Sequence, residues 1–351
     1  MNEYRNDAVH PTLSRALPIA QTTLDGRGPG RDHYGRCEVL EATGAGGFTD
    51  FTFGATVTGV AWSVNPYSGC AHACTYCYVP DTIKAERHRW GTYSIVKKDL
   101  PTRLARAIAR TGKKTVYFST STDPYQPLEA EHRITRRCLE VLARKDWPVE
   151  ILTRSPLVVR DLELFRQFSN IRVGFSIPML DDEVRHALEP SAPTIPARIR
   201  ALRTLADEGI ATFANYTPAC PPTTHDAGQV AKAFLDAGAQ WVNSKGLQRK
   251  ESTLVPMWDR LHGTRWEDLT RFLASEKRQA AWHQELGAAF RKIGLPLSTP
   301  FFNPPFEFPE LVVRPEQTRL DAVRIEVPLV QARRKGKRAG PAVRRLLPVL
   351  R

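Results

Sequence analysis

Short apolar, β-branched runs alternate with stretches of helical spacing through the middle of this 351-residue chain. Thr58–Val64 reads as a strand, and Asp99–Gly112 as a helix with Leu100, Leu104, Ala107 and Ile108 on one face. Four strand–helix pairs follow: Thr115–Ser119 with Glu131–Lys145, Val149–Thr153 with Val159–Phe168, Ile171–Ile177 with Ile195–Glu208, and Ile210–Tyr216 with Ala227–Ala237. Gln240–Asn243 reads as a last strand. Strand starts at 115, 149, 171, 210 and 240 are spaced near the about 30 residues of a βα unit, so the sheet is expected to be parallel. Six units are fewer than the eight of a closed TIM barrel.

The ends do not share this rhythm. Residues 1–50 carry many glycines and polar residues and read as an extension with little regular structure. The repeat occupies 51–250, and residues 251–330 read as a cover. That cover holds two helices, Trp266–Leu273 and Lys277–Ile293, then a stretch rich in proline and phenylalanine from Pro300 to Pro309. Residues 331–351 read as a basic tail, with Gly336, Gly340, Pro341 and Pro348 interrupting any long helix.

Composition narrows the class. A chain that is 42% hydrophobic and 25% charged is neither disordered nor collagen-like, and at this length it needs no disulfide staples. Its formal charge of +13 suggests nucleic acid as a partner. Eight basic residues and no acidic one lie between Gln331 and Arg351, so the rest of the chain holds 42 basic against 37 acidic residues. The tail reads either as a nucleic-acid contact or as a solubilising appendage. No run is long and apolar enough for a membrane-spanning helix, and the N-terminus lacks the apolar core of a secretory signal. A cytoplasmic, reducing location is the expectation, in which six cysteines are not read as three disulfides.

Three of those cysteines fall within eight residues, Cys70-Ala-His-Ala-Cys74-Thr-Tyr-Cys77. A structural zinc site usually takes four ligands as two separated pairs, and Cys37, Cys138 and Cys220 supply no second pair. Three clustered thiolates suit an iron–sulfur cube with one iron left open. His72 reads as a fourth ligand or as a polar loop residue. The loop follows the first strand directly, which places it at the C-terminal ends of the strands, where barrels of this kind carry their active sites.

The string Asn65-Pro-Tyr-Ser-Gly-Cys70-x-His72-x-Cys74-x-Tyr76-Cys77-Tyr78 resembles the cluster motif of the radical S-adenosylmethionine (SAM) superfamily. It is similar in particular to the branch that includes spore photoproduct lyase and the proteins labelled DNA-repair-photolyase-like. The resemblance runs from about Val57 to Gly246. It implies a partial (β/α)6 TIM-like barrel, α/β in class, with N- and C-terminal extensions. It also implies a [4Fe-4S] cluster on Cys70, Cys74 and Cys77, with the amino and carboxylate groups of SAM on the fourth iron. An external one-electron reductant, flavodoxin- or ferredoxin-like, would drive reductive cleavage of SAM to methionine and a 5′-deoxyadenosyl radical.

The same resemblance marks strand-end residues as SAM contacts. Thr122-Asp123-Pro-Tyr-Gln-Pro-x-Glu129 looks diagnostic, and Ser121 and Asp123 are the candidates for the amino group, with Ser119 not separable from them. A helix cap in a proline-stiffened turn is the competing reading of Asp123. Arg154, where related sequences resemble Thr-Lys-Ser, is the candidate for the carboxylate. A guanidinium fork suits that group, and an ordinary surface arginine is the competing reading. Ser176 matches a position that hydrogen-bonds SAM, or serves its own strand backbone. Glu189-Pro190 fits the pattern in a structural role. Cys220, just past the fifth strand, reads as a hydrogen-atom donor on the rim or as a packed bystander thiol.

Three functions compete at this point. The first is a radical SAM enzyme acting on nucleic acid, in repair or modification. The second is radical SAM modification of a peptide or small metabolite. The third is a non-catalytic iron–sulfur or zinc protein that binds nucleic acid. Neither the substrate nor the oligomeric state is readable from the sequence.

Overall fold

A computed structural model describes residues 12–13, 37–44, 48–52, 60–118, 120–221 and 226–299. They lie within one compact unit, Met1–Pro315, and the second unit, Glu316–Arg351, lies outside them. Ser119, the proline- and phenylalanine-rich stretch, the basic tail and most of the first 36 residues also lie outside.

The strands in chain order are β1 (Thr12–Leu13), β2 (Glu38–Ala42), β3 (Phe48–Thr52), β4 (Val60–Val64), β5 (Tyr67–Ser68), β6 (Tyr93–Lys97), β7 (Val116–Phe118), β8 (Val149–Thr153), β9 (Ile171–Ser176), β10 (Ala211–Tyr216), β11 (Trp241–Ser244) and β12 (Leu297–Ser298). The α-helices are α1 (Val79–Thr82), α2 (Leu100–Ile108), α3 (Glu129–His132), α4 (Ile134–Ala143), α5 (Leu162–Phe165), α6 (Asp182–Leu188), α7 (Ile195–Asp207), α8 (Ala227–Asp236), α9 (Glu251–Leu261), α10 (Glu267–Ala274) and α11 (Glu276–Ile293).

One sheet has the order β12-β11-β10-β9-β8-β7-β4-β3. From β4 to β12 every neighbouring pair is parallel, and β3 pairs antiparallel with β4 at the edge. The order never reverses, unlike a doubly wound sheet, so same-handed crossovers return the helices to one face. This is the parallel α/β sheet expected from the βα rhythm, arranged as the resemblance to a partial barrel implies, with β3 and β12 as its edges among the described residues. Alternate residues of the central strands build the core: Val116, Phe118, Val149, Ile151, Val173 and Phe175 are all at most 1% exposed. Each such side chain contributes about 1.5–3 kcal/mol on burial. No helix among the described residues is long and apolar enough to cross a membrane.

The second sheet was not anticipated. Its order is β1-β2-β6-β5, with β2 parallel to β6 and β5 antiparallel to β6. The expectation of little regular structure before residue 50 is therefore corrected, since β2 and the start of β3 fall there. The Tyr93–Lys97 run, between the cysteine loop and α2, adds a strand that the βα rhythm does not predict. Both strands are five residues long, and β2 finds its partner more than 50 residues away, so local pattern carries little of the signal. Cys37, at the head of β2, is buried, and burial pushes its thiol up to about 11.

Candidate functional site

The cysteine loop leaves the C-terminal end of β4 and is held on the second sheet by β5. Gly69 has φ +83°, and a Cβ there would lie 2.5 Å from the Tyr93 carbonyl oxygen, so this turn admits only glycine. Cys70 and Cys74 are buried and Cys77 is half-buried. Cys77 N donates to the Cys74 carbonyl at 3.2 Å, and Thr75 N donates to the Leu188 carbonyl at 2.9 Å.

The segment after β7 clamps this loop residue by residue. Thr122 Oγ1 donates to the Gly69 carbonyl at 2.6 Å. Gln126 Oε1 accepts from Ala71 N at 3.0 Å and from Ser94 Oγ at 2.9 Å, while its Nε2 donates to Thr122 Oγ1 at 3.0 Å. Glu129, fully buried, accepts from the Tyr67 hydroxyl, from Thr135 N at 2.9 Å and from Arg160 Nη2 at 3.0 Å. Thr122, Gln126 and Glu129 thus share one task, which accounts for their spacing in the Thr-Asp-Pro-Tyr-Gln-Pro-x-Glu motif.

Asp123 is 3% exposed and its carboxylate is consumed by the protein. Oδ1 accepts from Thr153 Oγ1 at 2.6 Å and Tyr125 N at 2.9 Å, and Oδ2 from Arg154 N at 2.7 Å. His72 Nε2 stands 3.4 Å from Oδ2, an ion-pair separation rather than an aligned hydrogen bond. Burial works to raise the Asp123 pKa, and the contacts with His72, Thr153 and Arg154 outweigh it and hold it below the usual carboxylate range. His72, a polar residue of the same loop, is 1% exposed, with Nδ1 3.2 Å from the Ser191 carbonyl oxygen.

A second network runs along the other side of the loop. Glu189, at the end of α6, accepts from the Tyr76 hydroxyl, from Arg154 Nε at 3.0 Å and from Arg198 Nη2. Arg198 is fully buried and also donates to the Ser176 carbonyl at 2.9 Å. Burial works to raise the Glu189 pKa, but Arg198 and Arg154 bring it down to about 2. Sequence reasoning missed Tyr76 and Arg198 as parts of this network. The aromatic before the last cysteine was the available signal for Tyr76, while nothing in α7 distinguishes Arg198 from the other arginines around it.

The strand-end candidates divide by what already holds them. The Ser121 amide donates to Asn65 Oδ1 at 2.9 Å, while its hydroxyl has no hydrogen-bond partner among the described residues. Arg154, one residue past β8, also reaches the Tyr76 hydroxyl with Nη2 at 3.3 Å. Its charge favours the thiolate forms of Cys74 and Cys77, against the effect of burial. Ser176 is buried, and its hydroxyl has no hydrogen-bond partner among the described residues. Cys220 lies in the loop after β10, 1% exposed, its amide donating to the Pro178 carbonyl at 3.0 Å. Burial raises its thiol strongly and the Glu189 charge adds to this, so the sulfur keeps its hydrogen. The structure thus gathers Cys70, Cys74, Cys77, Asp123 and Arg154 around one loop, with Ser176 joined through Arg198.

The donor set fits a cluster that takes thiolates. Burial raises Cys70, Cys74 and Cys77 each to about 12, so without metal the loop holds thiols, and metal binding displaces those protons. Among the described residues no three His, Cys, Asp or Glu side chains converge as the ligands of a single ion do. A cube differs from such a site by giving each cysteine its own iron.

Residues 64–233 match the family model for the radical SAM superfamily. A protein of Methanocaldococcus jannaschii is 34% identical over 166 residues, 47% of this chain and 62% of that protein. A protein of Mycobacterium tuberculosis is 30% identical over 205 residues, 55% of this chain and 60% of that one. The chain thus spans about three fifths of the length of these curated relatives. Among solved structures, a mutant spore photoproduct lyase with bound SAM and dinucleoside spore photoproduct superposes with a TM-score of 0.52. Its identity is 14%, over 69% of this chain and 76% of the lyase, a likeness of fold.

Proposed function

We propose that this chain, which carries a radical SAM domain over residues 64–233, is an enzyme that holds a [4Fe-4S] cluster on Cys70, Cys74 and Cys77 and cleaves SAM reductively there. The observation that carries this reading is the cysteine loop itself, clamped at the C-terminal end of β4 by Thr122 and Gln126 and flanked by Arg154. When bound, the cluster and SAM supply a one-electron reduction of the sulfonium and, from it, a 5′-deoxyadenosyl radical.

The chain's own residues bind, orient and shield. Cys70 and Cys74 sit out of solvent, and a cofactor held there meets little water. Arg154 offers a fixed positive charge for the SAM carboxylate, its plane set by Glu189 and Tyr76. Ser121, whose hydroxyl has no hydrogen-bond partner among the described residues, is a direct contact for the SAM amino group. Asp123, its oxygens engaged by Thr153, Tyr125 and Arg154, acts by fixing the β8 end rather than by meeting SAM itself. Ser176 lines the same strand ends. Cys220 carries a neutral thiol suited to giving a hydrogen atom to a substrate radical.

The electron comes from an external flavodoxin- or ferredoxin-like reductant. The substrate reading is nucleic acid, in repair or modification. It is supported by the net charge of +13 and by the fold likeness to a lyase whose structure holds a dinucleoside photoproduct. Anaerobic reconstitution followed by assay of 5′-deoxyadenosine under reduction tests the reaction, and turnover with and without an oligonucleotide tests the substrate class.

A further inference from the structure

The parallel register places Ser176 of β9 opposite Asn215 of β10, Asn215 opposite Asn243 of β11, and Asn243 opposite Ser298 of β12. These four polar residues form one row at the C-terminal ends of four neighbouring strands. Two residues earlier, the row beneath is Gly174, Phe213 and Trp241, with the two rings stacked at 4.9 Å. A Cβ on Gly174 would lie 2.3 Å from the Phe213 ring, so the rings fill the space below the polar row.

The intervening residues point the other way. Tyr216 packs edge-on against Phe234 of α8 at 5.6 Å, and Ser244 Oγ stands 3.1 Å from His283 Nε2 of α11. Strand alternation therefore turns Asn215 and Asn243 away from the helical layer, onto the face that Arg154 and Ser176 share. Asn243 is 7% exposed, yet its Oδ1 has no hydrogen-bond partner among the described residues. Asn215, half-buried beside it, likewise has no side-chain hydrogen bond there. A buried carboxamide acceptor left unpaired costs stability unless something fills it, and here it stands at the C-terminal strand ends, in the row that holds Ser176.

Resting on the radical SAM reading above, we infer that Asn215 and Asn243 form a specificity pair that reads the donor–acceptor edge of a substrate nucleobase. Adjacent carboxamides present an acceptor and a donor about one strand spacing apart. Every nucleobase carries an N–H group beside a carbonyl or ring-nitrogen acceptor, and asparagine is a common partner for such an edge. Asn215 and Asn243 lie two and three strands from Arg154, about 10 and about 14 Å at ordinary strand spacing, which sets a base beyond a cofactor anchored at the cysteine loop.

The test uses reconstituted, full-length protein at one fixed salt concentration, because phosphate contacts are salt-sensitive and shared by all sequences. Binding of a short oligothymidylate is compared with binding of an abasic chain of the same length. Wild type is expected to prefer the base-bearing chain about tenfold or more, a preference that Asn243→Leu brings close to one. Asn243→Asp, which keeps an acceptor in place, retains more of the preference than the leucine variant. SAM affinity and substrate-free SAM cleavage stay within about twofold of wild type in both variants. Equal or absent binding of the two chains by wild type overturns the inference and leaves the edge to a peptide or metabolite amide. A loss of SAM affinity in Asn243→Leu with the preference intact assigns the residue to the cofactor and also overturns it. Failure of wild type to cleave SAM, with the preference and its loss intact, removes the proposed reaction and leaves the base-reading pair standing.

Discussion

Arg154 Nε lies 3.0 Å from Glu189 Oε1, and the other Glu189 oxygen is held by Arg198, whose side chain is fully shielded from solvent. One carboxylate therefore balances two guanidinium groups, one facing the cysteine loop and one locked into the barrel wall. Removing it leaves a buried charge without a partner, the costly kind of deletion. Glu189→Ala is expected to lower unfolding free energy by about 3–5 kcal/mol, read from denaturant midpoints.

The pH dependence of that pair has a definite sign. The folded pKa of Glu189 lies at about 2, below its ordinary value, so its stabilisation is present above the ordinary carboxylate range and is lost as pH falls through the folded value. Wild type should lose on the order of 3 kcal/mol between about pH 5 and pH 2 beyond what Glu189→Gln loses. Parallel urea titrations across that window check this, and superimposable pH profiles would refute it.

Arg154→Lys keeps the charge but loses the fork that meets Glu189 and Tyr76. Iron content should be unchanged while the KM for SAM rises about tenfold. A variant with wild-type KM would show that Arg154 does not meet the cofactor.

Gly69→Ala forces a methyl group to within 2.5 Å of the Tyr93 carbonyl at a positive φ. The loop must shift, at a cost of about 1–3 kcal/mol, and the cysteines shift with it. The reconstituted variant should hold well under half the iron of wild type, measured by chelation assay. Cys138→Ala is the matched control, because Cys138 is fully buried in α4 and is not one of the three loop cysteines. It should cost about 1–2 kcal/mol and leave iron content intact.

What the sequence made legible follows from range. The six parallel strands fall within a few residues of their expected bounds because each is a continuous buried apolar run with helical spacing behind it. The three loop cysteines are legible because a cluster motif is local. The β2–β6 pairing is not, since each strand is short and its partner distant. Asp123 shows the same limit inside the site. Its motif was visible, but whether its carboxylate faces a ligand or Thr153, Tyr125 and Arg154 depends on which strand ends meet. Arg198 was illegible because its partner Glu189 sits on another helix, and nothing local marks an arginine destined for full burial. Asn243 is legible only as the end of a strand, since the row it shares with Asn215 emerges from register alone.

The most direct test of the central claim is anaerobic reconstitution of the full chain with iron and sulfide, followed by metal analysis and assay for 5′-deoxyadenosine with SAM and a strong reductant. The account predicts about four iron per chain and reductant-dependent 5′-deoxyadenosine, with both lost when Cys70, Cys74 and Cys77 are replaced by alanine. A fully loaded protein that leaves SAM uncleaved, or zinc without iron in anaerobically isolated protein, would contradict it.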